Sequence, residues 1–227
     1  MKLRCITVLS LGLLTAQVSA EEPQTLTSPK DKLSYSFGQQ FGQNISKYLQ
    51  QQHIALDLNV VAKGIKHALH AKSPLLSQRE IRQTMIAFQQ RRFARLAKKN
   101  LEEGKAFLAK KAKTDGVVTL PSGLQYKVIT AGTGKTPKLT DKVTTHYRGT
   151  LINGTEFDSS YKRGEPATFP VQGVIAGWTE ALQLMKEGAK WKLFIPAKLA
   201  YGKPGKGGKI GPNATLIFKI ELLSVGE

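Results

Sequence analysis

The sequence predicts an α+β protein: an N-terminal all-α dimerisation part ending in a long stalk helix, then an antiparallel β-sheet wrapped over one short α-helix. Three observations carry this expectation. From Asp31 to about Lys113, apolar residues recur at three- and four-residue steps. After Asp115-Gly116 they alternate with period two. Aromatic residues are then set at turns and on strand faces through the last third, where one cavity could collect them.

The first twenty residues stand outside that fold. Lys2 and Arg4, the apolar run Ile6 to Leu14 and the small-residue site Val18-Ser19-Ala20 read as a secretory signal peptide over residues 1–20, cut after Ala20. The run is too short to span a bilayer as a stable helix. Cys5, the single cysteine, lies ahead of it. The exported chain is therefore expected to carry no disulfide, no thiolate zinc site and no lipid on a cysteine at the cut. The expected location is the periplasm, with the outer membrane or cell surface as further destinations.

Residues 21–76 read as a helical dimerisation domain. A polar stretch with two prolines, residues 21–30, leads in. Leu33, Phe37, Phe41, Ile45, Tyr48 and Leu49 then make one helical stripe, with Asp31 as the expected N-cap. A second helix runs from about Asp57, with Leu58, Val61, Ile65 and Leu69 on one side. Ser77 and Glu80 have capping-box spacing, and the helix they open meets no proline before Lys113, so residues 77–115 form a long connecting helix. Its first half carries Ile81, Met85, Ile86, Phe88 and Phe93 at packing intervals. Its second half keeps Phe107 and Leu108 among Lys105, Lys110, Lys111 and Lys113, and reads as solvated stalk. Two short helices are too small to bury their stripes alone, so a homodimer formed by residues 31 to about 95 is expected.

Residues 116–227 read as the sheet domain. Leu124, Tyr126 and Val128 share one strand face; Val143, Tyr147 and Leu151 share another, with Thr145 and Gly149 between them. Trp191, Leu193 and Ile195 form a third set, and Leu216, Phe218, Ile220 and Leu222 a fourth. Trp178, Ala181, Leu182 and Met185 have the spacing of one short helix.

Charge bounds the partners. The chain has formal charge +18, and losing Lys2 and Arg4 leaves 32 basic against 16 acidic residues, +16. Such a surface attracts polyanions without specificity. For an exported chain, anionic lipid or glycan is the expected electrostatic contact, and nucleic acid is not a physiological one; a basic composition also simply solvates a surface. AGTGKT at residues 131–136 imitates a phosphate loop, but Ile129 stands where that motif needs glycine and Pro137 blocks the helix it needs. It reads as a glycine-rich turn. His67 and His70 lie one helical turn apart with no third ligand in view, so a metal site is not expected.

SGLQYKV, THYRGTLINGTEFDSSYKRG, VIAGWTEAL, IPAKLAYG and IGPNATLIFKIELL follow one another across residues 116–227. In order and spacing they resemble the FKBP-type peptidyl-prolyl cis–trans isomerases. The helical part ahead of them is similar in organisation to the macrophage infectivity potentiator (Mip)-like subgroup of exported bacterial members. The resemblance implies an FKBP-like fold, rotamase activity without cofactor, and a pocket. Tyr147, Phe157, Asp158, Tyr201 and Phe218 would be its catalytic residues; Phe169, Val174, Ile175, Trp178, Ile210 and Arg163 would bind substrate. Trp178 would be the floor, Tyr201 would hydrogen-bond a substrate carbonyl, and Asp158 would pair with Arg163. Ala167 departs from the family, several members of which carry a second phenylalanine there, and weakens one wall. The implied partners are prolyl segments of unfolded exported proteins and macrolide inhibitors of the tacrolimus or rapamycin type.

Residue by residue, Trp178, Phe157 and Phe218 also suit an ordinary core, and Tyr147 and Tyr201 ordinary turn packing. Asp158 beside Phe157 is costly to bury without a partner. An X–Pro bond is a tertiary amide whose isomers lie close in energy across a barrier of ~20 kcal/mol, most of it lost resonance. An apolar pocket disfavours the planar, more polar amide relative to the twisted one and needs no nucleophile. Two other readings compete: a chaperone that binds prolyl peptides with incidental isomerase activity, and a basic surface adhesin.

Overall fold

The computed structural model describes residues 25–226, so the expected signal peptide lies outside the described residues. The chain forms two compact units that divide between Leu75 and Leu76.

The first unit holds α1 (Pro29–Gln51) and α2 (Leu58–Leu69). The cap of α1 is Ser28, three residues ahead of the expected Asp31: the Ser28 hydroxyl accepts from the Asp31 amide at 3.0 Å and donates to the Asp31 carboxylate at 2.6 Å. Pro29 sets that start, because its fixed φ suits the first helical position and it has no amide to satisfy. Asp57 caps α2 by accepting from the amides of Asn59 and Val60. Within this unit Leu49 is buried, while Leu33, Phe37, Phe41 and Tyr48 of α1 and Leu58, Ile65 and Leu69 of α2 are exposed.

The second unit begins with α3 (Gln78–Ala112), opened by the reciprocal capping box of Ser77 and Glu80. Its second half departs from the expected solvated stalk. Met85, Ile86 and Phe93 in the first half are exposed, whereas Ala97 and Gly104 in the second half are buried. A Cβ on Gly104 would clash with the Thr215 side chain, so glycine allows that close approach. Phe107 meets Phe194 edge-on at 5.8 Å. Side-chain amides complete the dock: Asn100 donates to the Pro212 carbonyl, Gln125 to that of Leu108, and Asn213 to that of Ala97. Small residues and amides share this face with Phe107, and an apolar count overlooks the first two.

Among the described residues seven strands follow: β1 (Val117–Thr119), β2 (Gln125–Thr130), β3 (Lys142–Leu151), β4 (Glu156–Ser159), β5 (Ala167–Pro170), β6 (Lys190–Ile195) and β7 (Leu216–Gly226). All pairings are antiparallel, in the order β1-β2-β6-β7-β3-β4, with β5 also on β3. The outer edge of β3 is shared: β5 pairs Lys142 to Thr145, and β4 pairs Arg148 to Thr150. α5 (Ala176–Leu182) lies against the sheet, with Trp178, Ala181, Leu182 and the following Met185 buried. The inward sets of β3, β6 and β7 bury Val143, Tyr147, Leu193, Ile195, Leu216, Phe218, Ile220 and Leu222, as alternation requires. β2 departs from it. Gln125 is buried because α3 covers the face it occupies, while on the other face Tyr126 stacks on Trp191 at 4.2 Å and Val128 is exposed.

In the glycine-rich turn at residues 131–136, the amides of Thr133 and Gly134 both donate to the Glu187 carbonyl, so these two are not turned towards a phosphate.

Candidate active site

At Tyr147 neither β4 nor β5 reaches the edge of β3. Ser160, first residue of the one-turn helix α4 (Ser160–Arg163), fills the gap. Its fully buried hydroxyl accepts from the Tyr147 amide at 2.7 Å and donates to the Tyr147 carbonyl at 3.1 Å. A side chain thus does the work of a strand and fixes the Tyr147 backbone. Gly164 closes α4 in the left-handed region at φ +82°. The turn brings Arg163 back over β4.

A three-membered polar ring results. The Tyr147 hydroxyl donates to Asp158 Oδ2 at 2.7 Å and accepts from Arg163 Nη2 at 2.8 Å, while Arg163 Nη1 donates to Asp158 Oδ1 at 2.6 Å. Burial works to raise the Asp158 carboxyl, but the Tyr147 hydroxyl and Arg163 outweigh it and hold the group below the usual carboxylate range. Burial, then the bond to Asp158, pushes the Tyr147 hydroxyl above its ordinary value. Asp158 is therefore ionised and Tyr147 protonated at neutral pH.

Around this ring lies a cavity of about 870 Å³. β3 supplies Tyr147, β4 Phe157 and Asp158, β5 Phe169, and β7 Phe218; Val174 and Ile175 precede Trp178 of α5, and the loop before β7 supplies Tyr201 and Ile210. The structure brings ten of the eleven expected residues to the lining; Arg163 stands behind it, on Asp158. Trp178 is the hub. Its ring meets Tyr147 at 5.2 Å and 86°, Phe218 at 5.2 Å and 85°, and Phe169 at 6.0 Å and 84°. Such edge-to-face pairs are worth about 0.5–1.5 kcal/mol each beyond their burial. Phe157 packs edge-on against Phe218 at 5.4 Å. Gly149 permits it: a Cβ there would fall 2.6 Å from Phe157 and 2.8 Å from Phe218. Ala167 is not part of the lining; it pairs with Thr145, partly buried against the core on the Phe169 side of β5.

Sequence reasoning missed Ser160, Gly173, and Lys206 to Lys209, the last four lying between Tyr201 and Ile210 on the rim. The Lys-Gly run flanked by two aromatic-pocket motifs was the available signal for the rim; Ser160 had none, since its role depends on where two strands end. Among the described residues, no three of His, Cys, Asp and Glu gather as a metal site.

Comparison with known proteins supports the same reading. The model of the FKBP-type peptidyl-prolyl cis–trans isomerase domain matches residues 133–223, and that of the domain amino-terminal to it matches residues 30–128. The chain is 45% identical to the outer membrane protein MIP of Legionella longbeachae, over 99% of this chain and 98% of that one. It is 44% identical to the peptidyl-prolyl cis–trans isomerase Mip of Coxiella burnetii, covering 99% of each chain. The crystal structure of FkpA from Escherichia coli superposes with a TM-score of 0.72 at 43% identity, over 89% of this chain and 99% of that one. The chain belongs to the FKBP-type peptidyl-prolyl cis–trans isomerases, with Mip and FkpA proteins as its relatives.

Proposed function

We propose that this isomerase turns X–Pro bonds in the Trp178-floored cavity, with Tyr147, Phe157, Asp158, Tyr201 and Phe218 acting on the rotating amide and Phe169, Val174, Ile175, Trp178 and Ile210 gripping the prolyl ring. The carrying observation is the aromatic cage held by a closed Tyr147–Asp158–Arg163 ring: its carboxylate is already occupied, so the site offers shape and a fixed field. A dry wall disfavours the planar, charge-separated amide, and each ~1.4 kcal/mol taken from the barrier gives about tenfold in rate. Asp158→Ala strands the Tyr147 hydroxyl and Arg163 and is expected to lower kcat/KM on a short prolyl peptide about tenfold or more, Tyr147→Phe somewhat less. Unchanged rates in both variants would remove these residues from the mechanism.

The finer account is an exported protein of the periplasm that assists folding there. The leader-like residues 1–20 and the outer-membrane name of the Legionella longbeachae relative support export. Among the described residues no helix is long and apolar enough to cross a membrane. The exposed apolar faces of α1 and α2 support a homodimer formed through residues 31 to about 95. Macrolides of the tacrolimus or rapamycin type are the proposed inhibitors of the same aromatic cage; the Ala167 departure bears on their affinity, while the reaction should survive it.

A further inference from the structure

Resting on the isomerase reading of the cavity, we propose that its lysine rim selects prolyl segments bearing a carboxylate on the residue next to the proline. Lys206 and Lys209 are the specificity-determining residues. Both line the cavity. The loop that carries them is turned by Gly205, Gly207 and Gly208, all in the left-handed region at φ +70°, +79° and +55°. Reciprocal bonds close it, Ile210 N to Gly207 O and Lys206 N to Ile210 O, both at 3.1 Å.

The two ammonium groups are held in place without being neutralised. Lys206 Nζ lies 5.1 Å from the Tyr201 ring centre and donates to the Tyr201 hydroxyl at 3.4 Å. Lys209 Nζ donates to the Glu156 backbone carbonyl at 2.8 Å. An ammonium has three donors, so each keeps some unspent. Among the described residues neither pairs with a carboxylate. The nearby acids are taken: Asp158 by Arg163 and Tyr147, and the Glu156 side chain by Arg148 and Lys162. The rim is therefore positive with no carboxylate of its own left to answer it. A substrate carboxylate would meet two ammonium groups there that no carboxylate of the rim already holds. Trp178, Lys206 and Lys209 line one cavity, and neighbouring Cα atoms lie about 3.8 Å apart, so the proposal puts the residue beside a seated proline, rather than a remote one, against the rim.

Both lysines are exposed. Each contact with a carboxylate is then worth at most about fivefold, and both together about tenfold, screened by salt. The chain's overall +18 also attracts acidic peptides, but without regard to position. Reversing the two rim charges leaves the rest of the molecule strongly positive, which separates the rim from that background.

The test uses short prolyl peptides with glutamate, glutamine or lysine directly before or directly after the proline. Both kcat/KM and equilibrium affinity are measured on the full chain at low and high salt. The glutamate peptide should exceed its glutamine twin by about three- to tenfold at one of the two positions, falling towards parity in ~1 M salt. Lys206→Gln with Lys209→Gln should bring that ratio to one, and Lys206→Glu with Lys209→Glu should invert it in favour of lysine. Parity in the wild-type protein, which needs no variant to fold, overturns the proposal, as does a preference that both double variants retain. Turnover without preference sinks the rim alone. Glutamate preference in affinity without turnover of any peptide sinks the isomerase reading and leaves the rim standing.

Discussion

The hydroxyl of Tyr147 is donor and acceptor at once, and that double role fixes the ionisation of the site. The Asp158 carboxyl has a folded pKa below its unfolded one, so its contribution is complete above about pH 4 and is lost only as pH falls through the lower folded value. The Tyr147 hydroxyl has a raised pKa, so what it contributes as a neutral donor is complete below about pH 10 and is lost as pH rises beyond that. Both windows are open across neutrality. The kcat/KM of the peptide reaction should thus be flat from about pH 5 to 9. A limb near neutrality in the measured profile would mean that an ionising group other than Asp158 and Tyr147 controls the reaction, against this account. Outside the ring, burial and the bond to Glu221 push the Tyr161 hydroxyl up to about 12, so it too stays neutral throughout that range.

At the scale of elements, the sequence shows most where one pattern has one physical cause. Alternation in β3, β6 and β7 marks a sheet with one buried face, and the spacing of Trp178, Ala181, Leu182 and Met185 marks the helix that covers it. The capping box at Ser77 and Glu80 is equally legible, because both partners lie within four residues. The pocket residues followed from motif order rather than from pattern; as an isolated ring, each also suits a core. What escaped detection depends on long-range geometry. α4 is a single turn, Ser160 matters because β4 and β5 stop short of Tyr147, and the docked half of α3 is written in glycine, alanine and asparagine. Gly104→Val tests that dock. Overpacking against Thr215 should cost about 1–3 kcal/mol, more than the few tenths gained from helix propensity. A lowered denaturant midpoint is expected, and an unchanged or raised one would show that α3 does not need this close approach.

For the whole molecule, the open question of surface is α1 and α2. Phe41 is 65% exposed and Leu69 79%, on helices whose own unit buries little beyond Leu49. A second copy is the economical cover for such stripes, and two linked catalytic domains would grip one unfolded chain with a gain in effective concentration. Light scattering on residues 21–227 should give twice the chain mass, and Phe41→Glu should shift it towards the monomer. A monomeric mass at micromolar concentration would instead leave those faces to client chains, favouring the chaperone reading of this unit. The claim at the centre is narrower and concerns the cavity: a prolyl bond turns against Trp178 inside the Tyr147–Asp158–Arg163 frame. Its most direct test is cis-to-trans catalysis on a short prolyl peptide, with and without a macrolide of the tacrolimus type. The account predicts catalysis that the macrolide suppresses by competition; no catalysis, or catalysis indifferent to a macrolide that binds, would contradict it.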